Sequence, residues 1–194
     1  MTKIMGAKTK FKNINTYANR GMTLEADIQA SNDYYLVNDK AVIYKKPTPI
    51  TISKVNYPSR REAIIKEGFF RTPSTTDYNG IYKGKYIDFD AKETKLKTAF
   101  PLNNIHPHQI KHLACIYKHG GIGFLIVRFT VLNKTFLLPI ESLMKFLDES
   151  TRKSIPLSYF EENGYIIKDK YNPRVDYLSV LDMLYFDGGN LWKT

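Results

Sequence analysis

The sequence lacks several features that define large classes of protein. It has a single cysteine, Cys115, which excludes a disulfide framework or a zinc site with several cysteine ligands and fits a reducing compartment. Its longest apolar stretch, residues 122–132, is interrupted by Gly123, Arg128 and Thr130 and is shorter than the about 20 apolar residues of a membrane helix. The N-terminal lysines precede no apolar segment, so no signal peptide is expected. These absences predict a soluble cytoplasmic protein without a membrane partner.

Acidic residues are absent where basic residues are concentrated. The 194 residues contain 29 Lys and Arg against 19 Asp and Glu, a formal net charge of +10. No carboxylate occurs in residues 1–20 or 40–61, although both segments carry several lysines and arginines. We expect a flexible basic arm over residues 1–18 and a second cationic surface on a projecting or edge element. The net charge makes a polyanion the expected class of partner. Such runs also serve only to keep proteins soluble, so composition alone favours nucleic-acid binding and simple solubility equally, and other features of the sequence must decide.

The periodicity of the sequence predicts a mixed α/β domain over residues 19–187, followed by a polar tail over 188–194. The first helix has Leu24, Ile28 and Tyr35 at helical spacing, with Asn19 or Thr23 as its N-cap. Further helices are predicted at 58–68, from Pro107 to the Gly120 pair, at 141–147 and at 175–186, and strands at 41–44, 50–55, 124–131 and 135–139, with a hairpin at 76–92.

The charged residues of the hairpin indicate a site. Side chains alternate along a strand, so Asp88, Asp90 and Lys92 lie on one face and the apolar residues on the other. A turn at Lys83-Gly84 places Asp77 opposite Asp90. Opposed residues have Cβ atoms about 4.5 to 5.5 Å apart, and two carboxylates at that distance repel unless a cation lies between them. This arrangement favours a divalent metal ion between Asp77 and Asp90.

Other interpretations of these residues stay open. The hairpin face could be a solvated surface on which acids and lysines alternate, and Asn79-Gly80 competes with Lys83-Gly84 for the turn. His108 and His112 have the spacing of zinc ligands but lack a third ligand in sequence, so a structural role is favoured. Cys115 lacks the surrounding signature of a catalytic cysteine and is interpreted as a helix-surface residue.

Longer segments resemble a known family. Asp77, followed after twelve residues by Asp90-Ala91-Lys92, is similar to the PD-(D/E)XK nuclease signature. The segments 19–25, 45–49, 74–84 and 86–89 together resemble the RecU family of Holliday junction resolvases. The similarity extends over residues 19–186, nearly the whole chain.

The resemblance implies a fold and an activity. The expected fold is a PD-(D/E)XK core, with a mixed central sheet flanked by helices and a projecting stalk over about residues 48–74. The expected protein is a homodimer that binds four-way junction DNA and makes paired, Mg²⁺-dependent nicks during recombination and repair, with Mn²⁺ as a possible substitute. Family members also cooperate with RecA and the RuvAB branch-migration proteins.

The resemblance also assigns residues to roles. Mg²⁺ would be held by Asp77, Asp90, the Ala91 carbonyl and Glu25, and Lys92 would assist the attacking water. Thr75 and Gln109 would support this site. Glu25, Asp77, Asp88 and Asp90 would together form a negative pocket inside a positive surround. The residues expected to contact DNA are basic: Arg20, Lys45, Lys46, Arg60 and Arg61.

The chain departs from the family at one position. RecU proteins usually carry Glu where this chain has Asp90, so the carboxylate is one methylene shorter. Mg²⁺ requires near-octahedral geometry at about 2.0 to 2.1 Å, and a retracted ligand loosens such a site. We therefore expect retained but weakened activity, favoured by Mn²⁺, with a catalytically weakened junction-binding accessory protein as the alternative.

Overall fold

A computed structural model describes residues 23–59, 61, 63–70 and 75–187. The helices within these ranges are α1 Leu24–Val37, α2 Pro107–Lys118, α3 Ile140–Glu149, α4 Leu157–Asn163 and α5 Tyr177–Leu181. The strands are β1 Val42–Lys45, β2 Ile50–Asn56, β3 Ile64–Phe70, β4 Tyr78–Tyr82, β5 Lys85–Thr94, β6 Ala99–Pro101, β7 Ile122–Phe129, β8 Lys134–Pro139, β9 Ser154–Pro156 and β10 Tyr165–Ile167. The predicted arm at 1–18, the tail at 188–194, Arg20 and Arg60 lie outside the described residues.

A six-stranded mixed sheet forms the centre of the fold, in the order β1-β4-β5-β7-β8-β10. Strands β5 and β7 are parallel and are joined by α2, whereas every other neighbouring pair in this sheet is antiparallel. A parallel connection needs a crossover, and α2 provides it by packing on one face of the sheet. The mixed α/β class predicted from the sequence is confirmed.

Helices cover both faces of this sheet. On one face α1 and α5 pack over Tyr78, Phe89 and Phe124, whose rings are stacked with centroids 4.9 and 4.7 Å apart. On the other face α2, α3 and α4 enclose a second core around β7 and β8. Strand β7 is buried along its whole length because it lies at the centre of the sheet between the two layers.

The start of α1 lies against β5, on the apolar face of the sheet. Thr23 is the N-cap and its hydroxyl accepts a hydrogen bond from the Ala26 amide, which settles the choice between two predicted caps. Leu24, Ile28 and Tyr35 are buried, as the apolar spacing predicted. The Leu24 amide donates to Glu93 on β5 at 3.0 Å, so a carboxylate from the sheet stabilises the positive end of the helix.

The predicted hairpin and its register are confirmed. Lys83 and Gly84 form the turn with φ values of 47° and 76°, the left-handed conformation that a tight two-residue hairpin turn requires at both positions. Ile81 lies opposite Tyr86 and Asn79 lies opposite Asp88. Side chains that share a face of β5 are therefore those that the alternation predicted.

The helix predicted at 58–68 is wrong. Strand β3 occupies this region and pairs with β2 in a separate two-stranded ribbon, in which Gly68 lies opposite Ile52. The apolar residues of β3 are β-branched or aromatic and favour a strand over a helix. Ile64 and Phe69 are 62% and 61% exposed, so the ribbon stands away from the core. It occupies the range predicted for a stalk, and that role stays a prediction.

Several short elements have no clear signal in the sequence. Strands β6 and β9 pair with each other outside the central sheet, while β10 adds an edge strand beside β8. Each has three residues, which is too short for an alternating pattern to be read. Among the described residues, no helix combines the length and apolar character needed to cross a membrane.

Candidate functional site

Asp77 and Asp90 lie close together at the start of β4. Asp77 immediately precedes β4, and its carboxylate accepts a hydrogen bond from the Ala91 amide at 3.2 Å. Asp90 is fully buried on β5. Burial raises the pKa of Asp90 to about 7, Lys92 opposes this shift, and the negative charge of Asp77 adds to it. The two carboxylates therefore interact, as their predicted opposition required.

The two oxygens of Asp90 have different surroundings. Oδ1 accepts a hydrogen bond from Gln109 Nε2 at 2.9 Å. Oδ2 forms an ion pair with Lys92 Nζ at 2.6 Å, and among the described residues no second donor reaches it. The lysine balances the charge but leaves part of the acceptor capacity of Oδ2 unfilled. A buried acid with spare acceptor capacity beside a second carboxylate is a candidate for binding a cation.

The donor set fits a hard divalent cation. Carboxylate oxygens are the ligands that Mg²⁺ prefers, and Mg²⁺ is commonly bound by one or two carboxylates while it keeps several waters. Asp77 and Asp90 supply the two carboxylates. Across residues 23–59, 61, 63–70 and 75–187, no three His, Cys, Asp or Glu side chains converge as an all-protein metal cage. The arrangement suits an open ion site and disfavours a closed structural one.

Gln109 is fixed at both ends of its amide group. Its Oε1 accepts from the His106 backbone amide at 3.1 Å, which closes a capping box at the start of α2, while Nε2 donates to Asp90. The packing of α2 against the sheet therefore places one polar side chain on the buried acid. The predicted proximity of Gln109 to the site agrees with this geometry.

Glu25 lies apart from the two aspartates. Its carboxylate is exposed and forms an ion pair with Lys45. Burial, and then the charges of Glu25, Asp77 and Asp90, raise the pKa of Tyr78, so all three acids lie within electrostatic range of its hydroxyl. Among the described residues, Glu25 does not join Asp77 and Asp90 in a cluster.

Asp88 lies on the same face as Asp90, as the negative pocket predicted, but its carboxylate has its own partners. Asp88 is fully buried, and Lys46, Thr76, Tyr86 and His112 all contact its carboxylate. The interpretation of this hairpin face as a solvated surface is wrong, because Asp90 is equally buried. Helix α2 crosses over the face and removes it from water.

The remaining candidates have structural surroundings. The rings of His108 and His106 stack with centroids 5.4 Å apart, whereas His112 contacts Asp88, so the two predicted zinc candidates are not directed at a common point. Cys115 is exposed on α2. Thr75 accepts a hydrogen bond from Lys46, and Arg61 is exposed beyond the end of β2.

Comparison with known proteins places the chain in a family. The sequence model of the family described as RecU, Recombination protein U, matches residues 19–183. The chain belongs to the RecU family. The Holliday junction resolvase RecU of Geobacillus thermodenitrificans is 56% identical over 173 residues, covering 88% of this chain and 86% of that protein.

Other family members are similarly close. The Holliday junction resolvase RecU of Bacillus cytotoxicus is 51% identical, with 92% of this chain and 90% of that protein covered. The corresponding protein of Staphylococcus aureus is 53% identical, with coverages of 94% and 89%. Among solved structures, the Holliday junction resolvase Hjc of Archaeoglobus fulgidus matches with a TM-score of 0.43 and 12% identity, covering 72% of this chain and 94% of that chain.

Sequence reasoning missed one residue and one contact near this RecU site. Glu93 holds the N-terminus of α1, and His112, considered above only as a zinc ligand, joins α2 to Asp88. The alternation of β5 predicted that Asp88 shares the face of Asp90. No local pattern identifies the partners of Asp88 that come from the segment after β1, the segment before β4 and α2.

Proposed function

We propose that this chain is a metal-dependent endonuclease that resolves four-way (Holliday) junctions in recombination and repair. The observation that carries the proposal is Asp90, a buried carboxylate that interacts with Asp77 and has one oxygen whose only partner among the described residues is the Lys92 ammonium. The relatives that bear the name Holliday junction resolvase support the choice of substrate.

Mg²⁺ is the proposed ion, with Mn²⁺ as a substitute. Asp77 and Asp90 would hold it. The Ala91 carbonyl is a third candidate, since the N–H and C=O of one strand residue point to the same edge and the Ala91 N–H already donates to Asp77. A bound divalent ion supplies Lewis-acid activation of water and neutralises charge on a phosphate.

The side chains around the ion site have separate tasks in this proposal. Lys92 is partly exposed beside Asp90 and would place a positive charge next to the scissile phosphate, where negative charge develops in the transition state. Gln109 holds Asp90 in one orientation. Glu25 now forms an ion pair with Lys45. When Lys45 binds a DNA phosphate, the Glu25 carboxylate would be released and would complete the metal site.

Contacts with junction DNA are proposed for basic residues beyond the ion site. Lys45 and Arg61 are exposed. Arg20 and Arg60 are included from the family resemblance alone, since they lie outside the described residues. The ribbon formed by β2 and β3 would act as a stalk that enters the junction. By family resemblance, we also propose that the protein is a homodimer and that it cooperates with RecA and RuvAB. It would act in the cytoplasm, on the chromosome.

The function is tested with mobile and immobile four-way junctions incubated with Mg²⁺ or Mn²⁺. We expect symmetric nicks from the native chain and none from Asp77→Ala. Asp148→Ala, which removes an exposed carboxylate on α3, is the matched control and should cut like the native chain. Native protein that binds junctions but makes no nicks at any concentration of either ion would overturn the proposal.

The second candidate is a junction-binding accessory protein with weakened catalysis. One observation favours it: burial raises the pKa of Asp90 to about 7, so protons compete with a metal ion for this carboxylate near neutral pH. The same junction assay separates the two functions, because the accessory protein would bind as tightly as the Asp77→Ala variant and cut no more than it does.

A further inference from the structure

A second buried carboxylate, Asp88, lies next to the proposed ion site. Asp88 is two residues before Asp90 and shares its face of β5. Its Oδ2 contacts Lys46 Nζ at 2.7 Å, the Tyr86 hydroxyl at 3.0 Å and His112 Nε2 at 3.1 Å. Its Oδ1 accepts from the Thr76 hydroxyl. Asp88 is therefore a fully partnered carboxylate where β1, β5, α2 and the segment before β4 meet.

Lys46 holds the segment that carries Asp77 at two points. Its backbone amide donates to the Asp77 carbonyl at 2.8 Å. Its ammonium donates to the hydroxyls of Thr75 at 3.1 Å and Thr76 at 2.6 Å, and to Asp88. Residues 75–77 lie outside regular strands, so these contacts, together with the Ala91 amide, fix where the Asp77 carboxylate lies.

The donor count argues that Lys46 has an internal role. An ammonium group has three N–H donors, and Thr75, Thr76 and Asp88 accept all three. The Lys46 side chain is only 15% exposed, whereas that of the neighbouring Lys45 is 47% exposed. Lys46 thus has no N–H donor left for a phosphate in this arrangement. Lys45, in contrast, can give up its ion pair with the exposed carboxylate of Glu25 and bind a phosphate.

His112 extends the same network to the helix on the other side of Asp90. It lies one turn after Gln109 on α2, and residues three apart share a face of a helix. Its contact with Asp88 holds that face against β5 while Gln109 reaches Asp90. Asp88 therefore connects the two groups that flank Asp90, which are the Asp77 segment and Gln109.

We propose that Lys46, Asp88 and His112 form a positioning network that holds Asp77 and Gln109 around Asp90, with Lys46 acting on the site and making no contact with DNA. The proposal rests on the proposed function for the identity of the site. It departs from the sequence-based assignment of Lys46 as a DNA contact. Outer-shell partners of this kind change metal affinity or activity by about 10- to 100-fold when they are removed.

The test compares Lys46→Met and Lys46→Arg with Lys45→Met as the matched control. The first readout is hydrogen exchange of the Ala91 amide in metal-free, DNA-free protein, because this amide donates to the Asp77 side chain. We expect Lys46→Met to accelerate that exchange about tenfold through local opening, and Lys46→Arg, which keeps the charge, to restore much of the protection. Lys45→Met should leave it unchanged.

The second readout separates positioning from DNA contact. We expect Lys46→Met to weaken Mn²⁺ binding, followed by electron paramagnetic resonance without DNA, by about 10- to 100-fold, with junction affinity in EDTA within about twofold of native. Lys45→Met should show the reverse, with weaker junction binding, a salt dependence reduced by about one phosphate contact and no loss of Mn²⁺ affinity.

Three results would overturn the positioning network. One is native exchange at Ala91 in Lys46→Met, and another is a loss of junction affinity with unchanged Mn²⁺ binding. The third is failure of Lys46→Met to fold, which would make Lys46 a general structural residue, since Thr76, Tyr86 and His112 still contact Asp88 in that variant. Failure of the proposed function is distinct, because it would appear as native protein that does not cut while the exchange difference at Ala91 persists.

Discussion

Asp88 and Asp90 occupy the same face of β5, but they differ in how many partners their carboxylates have. Both are fully buried. Asp88 has four side-chain partners, whereas Asp90 has one hydrogen bond from Gln109, an ion pair with Lys92 and a second carboxylate nearby. The comparison teaches that burial alone does not mark a functional acid. The functional candidate is the acid whose carboxylate oxygens can still accept a further hydrogen bond or bind a cation after the protein has folded.

The largest effect is expected for Asp88→Asn, which tests the partnered side of the comparison. The substitution keeps the shape but leaves the Lys46 ammonium without its anion in a mostly buried position. Breaking a buried ion pair from one side costs about 3 to 5 kcal/mol. Urea denaturation should show a loss in the free energy of unfolding of this size. A loss below about 1 kcal/mol, the value of an exposed pair, would contradict the proposed importance of the network.

The same substitution at Asp90 should affect activity and spare stability. Asp90→Asn removes a proposed metal ligand, so we expect junction cutting to fall more than about 100-fold, beyond the range of outer-shell changes. Its metal-free melting temperature should equal or exceed the native value, because burial opposes the charged form of Asp90. Cutting assays and thermal unfolding check both parts. An Asp90→Asn protein that melts earlier and cuts normally would reverse the roles assigned to the two acids.

Asp90→Glu addresses the family difference at the functional acid. The longer side chain introduces the residue that the resemblance leads us to expect here and brings the carboxylate nearer to an ion held with Asp77. We expect cutting with Mg²⁺ to rise severalfold and the preference for Mn²⁺ to shrink. Initial cutting rates with each ion measure this effect. A lower Mg²⁺ rate in the Glu variant would indicate that Gln109 and Lys92 have adapted to the shorter acid.

The smallest effect is expected at Asp176, a third acid that extends the comparison away from the site. Burial opposes its charged form, but hydrogen bonds from Lys170 and Ser179 and the charge of Lys170 outweigh it, so the pKa of Asp176 is lowered. A lowered folded-state pKa gives stability that is present above the unfolded value of about 3.9 and is lost as the pH falls through the folded value. Asp176→Asn should cost about 1 kcal/mol at neutral pH.

The pH dependence of unfolding checks this last prediction. The difference in unfolding free energy between native protein and Asp176→Asn should shrink as the solution becomes acidic. A difference that stays constant down to about pH 3 would mean that the charge of Asp176 contributes nothing. At Asp90, where the pKa shift has the opposite sign, metal-free native protein should lose stability as the pH rises from 3.8 toward about 7.

Local features of the fold could be predicted because they depend on neighbouring residues. Lys83-Gly84 defines the turn, and the two-residue period of a strand then fixes which side chains share a face with Asp90. Thr23 and the apolar spacing of α1 are equally local. The error at 58–68 arose because pairing between β2 and β3 overrode a helix start suggested by Pro58.

The sequence by itself determined the hairpin and its register, and it predicted that Asp77 and Asp90 lie close together, because turn geometry and strand alternation act over a few residues. The tertiary structure decided which acids are available. Helix α2 buries the charged face and brings in Gln109 and His112, while β1 delivers Lys46 to Asp88 and Lys45 to Glu25. These partners are distant in the chain and meet only when the layers pack. Whether a carboxylate is saturated or left open is therefore a property of the folded protein.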